Sequence, residues 1–185
     1  MYTRGHRTMD ATRRTAHLAV LLAVSLGLSV VERAIPIPVP FLRAGLANIV
    51  TVYAIITMGL VDALTLTVLR VILASLIGGT FLGPTFALSM GGGVAATLAM
   101  GAARAASPPL GIVGISLVGA LCHNLGQLIV VGALLTGASP ALRLVPLATL
   151  MAAGAGLVTG LIAALVIERL DRHGLGGAGR LEGRA

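Results

Sequence analysis

The chain has no tryptophan, a single cysteine, two tyrosines, three phenylalanines and only six acidic residues among 185. All 13 of its basic residues are arginine, so lysine is missing as well. Each shortage removes a class of function. A lone Cys122 leaves no disulfide framework and no cysteine-based metal site. In apolar surroundings such a thiol is a small packing residue. With no Gly-Lys-Ser/Thr sequence, the GGG at 91–93 is not a phosphate loop. The six acids supply no paired carboxylates and no Asp-Asp motif, and there is no Ser/His/Asp set. Hydrolytic or metal-dependent prenyl-transfer chemistry by this chain alone is therefore disfavoured. Charge itself is scarce, at 10% of residues against about a quarter in soluble domains. Apolar residues make up 57%, which puts the chain in the membrane class.

Long apolar runs are what the chain has instead. A spanning helix needs about 20 apolar residues, with about 17 as a lower bound. Six segments meet or approach that length, at 15–34, 44–58, 61–77, 84–103, 111–136 and 144–167. The second and third are short and share a tight turn at 59–62. IPIPVPF at 35–41 cannot continue a helix and reads as an extended connection. GGTFLG at 78–83 is a second break. The expected organisation is a basic N-terminal segment over 1–14, a six-helix transmembrane bundle over 15–170 and a Gly-rich, disordered tail over 171–185.

The net charge of +7 does not indicate nucleic acid, because the arginines sit at segment ends and not on one face. Nine of them (4, 7, 13, 14, 104, 169, 172, 180 and 184) fall on one side of the expected membrane and three (33, 43 and 143) on the other. That bias puts both termini in the cytoplasm. A cleaved signal peptide is not expected, since the first apolar run leads into Glu32–Arg33 and prolines and not into a small-residue cleavage site.

A few polar residues interrupt the apolar runs. Arg70 sits near the middle of LTLTVLRVILAS, where an arginine costs about 2.5–3.5 kcal/mol on insertion scales. It either ties helices by bonding backbone carbonyls or clamps an anionic ligand through its two-pronged guanidinium. In GALCHNLGQLIVVGALL, at about 100° per residue, Ser116, His123 and Gln127 share one narrow stripe with Gly119 beside it; Asn124 lies further round. This is either an interhelical hydrogen-bond seam or the wall of a ligand site. No second histidine or carboxylate is spaced to make His123 a metal ligand. Asn48 is a further amide at membrane depth, near the outer end of its segment. Glu32–Arg33 is either an interfacial ion pair or part of a cavity mouth. Small residues repeat every fourth position at Ala19, Ala23 and Gly27, and again at Ala152, Gly156, Gly160 and Ala164. Each stripe is a helix-packing face, within the chain or onto another membrane protein.

RAGLANIVTVYAI, LRVILASLIGGTFLGPTFALSMGGG and GALCHNLGQLIVVGALL, in that order, resemble the small membrane-protein family known as the Gx transporter family or heptaprenyl diphosphate synthase component I. The resemblance covers about residues 15–168 and extends to the substrate-binding S components of energy-coupling-factor (ECF) transporters. It implies six helices, a vitamin- or cofactor-like ligand held near the outer face, and a bacterial cytoplasmic-membrane location. It also implies a shared transmembrane subunit with two ATPases as partners. That subunit would dock on Ala19, Ala23 and Gly27, and segment 35–41 would cap the site. Arg70, His123, Asn124, Gln127 and Asn48 are the expected ligand-binding residues, with no catalytic residue, metal or cofactor. The family's synthase label, and its members' likeness to components of flavin-based electron transfer, imply an alternative. The chain would then be a non-catalytic accessory subunit of quinone or isoprenoid metabolism or of electron transfer.

Overall fold

The computed structural model describes residues 3–34, 45–106 and 110–173. The proline-rich 35–41 segment and residues 174–185 of the expected tail lie outside the described residues. Among the described residues seven α-helices follow in order: α1 (Thr3–Ala34), α2 (Asn48–Thr57), α3 (Leu60–Ile77), α4 (Pro84–Ala105), α5 (Ile112–Val131), α6 (Ala138–Arg143) and α7 (Val145–Arg172); a π-helical turn, Gly132–Thr136, extends α5. Helix is the expected answer for apolar runs in lipid, where every backbone N–H and C=O must be bonded within the segment. The basic stretch expected ahead of the first span is itself helical from Thr3 onward.

Among the described residues, five helical stretches are long and apolar enough to cross a membrane: Ala11–Glu32, Leu60–Ile77, Pro84–Ala105, Ile112–Thr136 and Val145–Arg172. These make the chain a multi-pass membrane protein. The sixth expected span is shorter than the sequence suggests. The helix there, α2, has ten residues, about 15 Å of rise against a hydrocarbon core of about 30 Å. Its C-terminal end turns into α3 through Gly59, whose φ of +98° suits only glycine. Counting from that turn, Asn48 on α2 and Arg70 on α3 are equally far along two neighbouring helices. Asn48 is the first residue of α2, at the end of its segment away from that turn, and is level with Arg70.

Glycine sets the packing. A β-carbon at Gly126 of α5 would lie 2.9 Å from the Gly91 carbonyl oxygen of α4. One at Gly156 of α7 would lie 3.0 Å from Leu117 Cα of α5, and one at Gly160 would lie 2.9 Å from Val113 Cα. Lipid offers no hydrophobic drive between helices, so close backbone approach is the main source of attraction. The small-residue stripe of the last helix is thus a packing face inside the chain. That of α1 is different: Ala19, Ala23 and Gly27 are exposed, and a β-carbon at Gly27 would meet nothing within 4 Å. The opposite face of α1 packs Leu18, Leu21, Leu22 and Leu28 against the core of Val52, Ile55, Leu66 and Met100. Arg14 also binds the Asp62 carboxylate of α3 through Nε and Nη2, at 2.6–3.1 Å. Asp62 is thereby accounted for at the Gly59 end of α3, far along the helix from Arg70.

Candidate functional site

At the end of the bundle where α1 and α3 finish and α2 and α4 begin, a cleft of about 530 Å³, its mouth included, reaches inward to Arg70 of α3 and His123 of α5. Its charged and polar lining comprises Ser29, Glu32, Asn48, Arg70, Ser75, Thr80, Thr85, Ser89 and His123. Gly45, Val71, Ala74 and Phe86 complete the wall. A smaller recess of about 220 Å³ shares Gly45, Asn48 and His123 with it and adds Ala120, Asn124, Ala152, Ala155 and Thr159 of α5 and α7.

Local turns place these groups. Gly45 adopts φ +73°, its carbonyl accepts the Asn48 N–H at 2.8 Å, and its own N–H donates to a Glu32 carboxylate oxygen. That bond ties the end of α1 to the start of α2. The 78–83 turn closes with Thr80 N–H donating to Ser75 O at 2.9 Å and Gly83 N–H to Thr80 O at 3.0 Å. It carries Thr80 to the rim and starts α4 at Pro84, a proline position that needs no helical N–H partner. Neither α2 nor α4 has a side-chain cap at its start. Both helices begin at the cleft, adding partial positive charge to that of Arg70.

The glycine triple of α4 runs between Arg70 and His123. A β-carbon at Gly93 would lie 3.7 Å from Arg70 Nη2, and one at Gly92 would lie 3.2 Å from His123 Cε1 and 2.8 Å from Gln127 Cγ. The run that is no phosphate loop is a slot in which a guanidinium and an imidazole from two other helices fit close to one backbone.

Four of the five expected ligand-binding residues therefore meet: Arg70, His123 and Asn48 at the main cleft, and Asn124, with His123 and Asn48, at the recess. Arg70 and His123 are each 7% exposed, so neither points at lipid. Gln127 lines neither opening. It is 1% exposed, and neither of its amide atoms has a hydrogen-bond partner among the described residues. Two of the polar groups on α5 bond to α7. Ser116 and Thr159 share a 2.9 Å hydroxyl bond, and Asn124 Nδ2 donates to the Ala148 carbonyl at 3.0 Å. These form the interhelical seam. His123 lines the cleft and the recess. Replacing Asn124 with alanine should then lower stability by about 0.6–1.7 kcal/mol, the range for interhelical hydrogen bonds in membranes. Denaturation of the variant in mixed micelles would measure it.

The reading of Glu32 as part of a cavity mouth matches its position, while the Arg33 side chain lies outside the described residues. Its neighbours could have been found from periodicity. Ser25, Ser29 and Glu32 repeat at i, i+4 and i+7, a polar face on an otherwise apolar helix, and all three are buried. Ser75, Thr80, Thr85 and Ser89 sit at helix ends and turns, where hydroxyl residues are common and carry no signal of their own. Among the described residues no group of three or more His, Cys, Asp or Glu side chains could hold a metal ion.

A family model described as heptaprenyl diphosphate synthase component I matches residues 21–166. No curated protein and no solved structure matches the chain.

Proposed function

The chain belongs to the heptaprenyl diphosphate synthase component I family, and from that premise we propose that it is a non-catalytic, ligand-binding membrane subunit. It serves uptake of a small vitamin- or cofactor-like molecule across the bacterial cytoplasmic membrane, with both termini cytoplasmic and with partner ATPases supplying the energy. One observation carries the reading. A guanidinium, a carboxylate, an imidazole, an amide and several hydroxyls, contributed by five helices and buried for the most part, line a single cleft. Intramembrane polar groups are expensive and face cavities when they serve a ligand.

The exposed Ala19, Ala23 and Gly27 face of α1 supports a docking role toward a shared transmembrane subunit. Ala23→Trp should leave the thermal midpoint of the isolated protein unchanged, because the position is exposed, while removing that subunit and its ATPases from affinity-purified complexes. Retention of the whole complex by the variant would sink the docking role.

The family's description favours a second reading, an accessory subunit of quinone or isoprenoid metabolism or of flavin-linked electron transfer. Co-purification separates the two. A shared transmembrane subunit with ATPases supports uptake; a prenyl synthase or a flavoprotein in their place supports the accessory role.

A further inference from the structure

Gln127 of α5 is 1% exposed, and among the described residues neither its Nε2 nor its Oε1 has a hydrogen-bond partner. A buried hydroxyl can turn to the carbonyl one turn back on its own helix, as Ser29 does to Ser25 and Thr97 to Gly93. A glutamine in mid-helix has no such recourse, because the backbone groups around it are already bonded along the helix. Its amide needs partners from outside α5. Asn124, three residues earlier, has one on α7. Gln127 has none, although it packs closely: a β-carbon at Gly92 of α4 would lie 2.8 Å from Gln127 Cγ and 3.2 Å from His123 Cε1.

The cleft is one helical turn away. Ser89 and His123 both line it. Gly92 is the third residue after Ser89 on α4, and Gln127 is the fourth after His123 on α5, so each shares a helix face with a lining residue. One turn is about 5.4 Å, a step that a side chain with three rotatable torsions covers by changing rotamer. We infer, resting on the binding role proposed above, that Gln127 turns its amide into the occupied cleft, and that the ligand presents to it a neutral edge with an acceptor beside a donor, as in a carboxamide, a lactam or a cyclic imide. The class follows from what is open on the glutamine. Both its NH₂ and its C=O are open, and a side-chain amide meets a donor–acceptor edge through two parallel bonds, the geometry in which glutamine reads adenine. A carboxylate or phosphate would take the donor and strand the carbonyl. An ammonium would take the carbonyl and strand the donor. Either leaves a buried polar group unmade. A neutral two-atom edge satisfies both and brings no further charge to membrane depth.

The test variant is Gln127→Met, which keeps the length and the unbranched Cγ that packs on Gly92 and removes both polar atoms. Protein is purified gently from membranes, native mass spectrometry reads occupancy, and the small molecule released on denaturation is identified. Thermal unfolding is followed on protein dialysed free of ligand. The expected molecule contains a carboxamide, lactam or imide group. Occupancy should be about tenfold lower or more in the variant, the loss of two neutral hydrogen bonds. The midpoint of the empty variant should equal or exceed the parent's, because an amide without partners has been removed. Full occupancy in Gln127→Met, or a released molecule without such a group, overturns the inference and leaves the binding role standing. So does a lowered midpoint of the empty variant, which would make Gln127 a tie within the bundle. No small molecule on the unsubstituted protein overturns both.

Discussion

Arg70→Leu is expected to abolish ligand retention while leaving the empty protein as stable as the parent or slightly more so. The two roles open to an intramembrane arginine predict opposite signs for stability. If Arg70 is a structural tie, its removal breaks bonds that hold helices together, and the melting midpoint falls. If it belongs to a binding cleft, the empty protein holds a buried charge at a cost of about 2.5–3.5 kcal/mol on insertion scales, and leucine relieves that cost. Its position favours the second role. Arg70 lines an opening, and the helix on which it sits is already joined to α4 by the Thr67–Thr97 hydroxyl bond and to α1 by the Arg14–Asp62 pair. A guanidinium that grips an anion with two charge-assisted bonds, at about 1.5–3 kcal/mol each, accounts for a loss of about a hundredfold or more in affinity. Thermal unfolding of the empty protein and ligand occupancy, measured on the same preparation, check both halves. A lowered midpoint with ligand still bound would make Arg70 a strut.

The spans were legible because hydropathy is a one-dimensional property, and a run of Leu, Val, Ile and Ala in water has few alternatives to a buried helix. Arg70 and His123 were legible for a related reason: each is costly where it stands, so each needs an explanation. What one dimension does not carry is the identity of the neighbour. Asn124 and His123 are adjacent in sequence and about 100° apart on the helix. One finds a carbonyl of α7 and the other a cleft, and only the packing of α7 on α5 decides which. Gln127 shares a stripe with His123 but lies one turn along, beside Gly92 instead of the opening. The two small-residue stripes read identically and ended differently, that of α7 buried against α5 and that of α1 exposed. Asn48 does stand at the end of its segment, as the first residue of α2, but the sequence did not show that α2 is only ten residues long and that this end is level with Arg70.

Alanine at Gly92 or Gly126 should be strongly damaging for a single added methyl, and the reason lies in what the new carbon would touch. At Gly101 the neighbour is the end of a side chain that can rotate away: a β-carbon there would meet the methyls of the partly exposed Leu60. At Gly126 the nearest atoms include the Gly91 carbonyl oxygen at 2.9 Å and Gly92 Cα at 3.2 Å. At Gly92 they include the His123 carbonyl oxygen at 2.9 Å. Backbone cannot rotate out of the way, so α4 and α5 must separate. Overpacking of this kind costs about 1–3 kcal/mol or more, and it also forfeits the close approach that holds membrane helices together. Because Gly92 abuts His123 and Gly93 abuts Arg70, the separation also moves the two side chains that the cleft depends on. Gly92→Ala should therefore lower both stability and ligand occupancy, Gly126→Ala should lower chiefly stability, and Gly101→Ala should do little to either. Denaturation and native mass spectrometry of the three variants would establish the order. Equal losses in all three would mean that the α4–α5 contact yields freely, and that the slot between Arg70 and His123 is not rigid enough to position them.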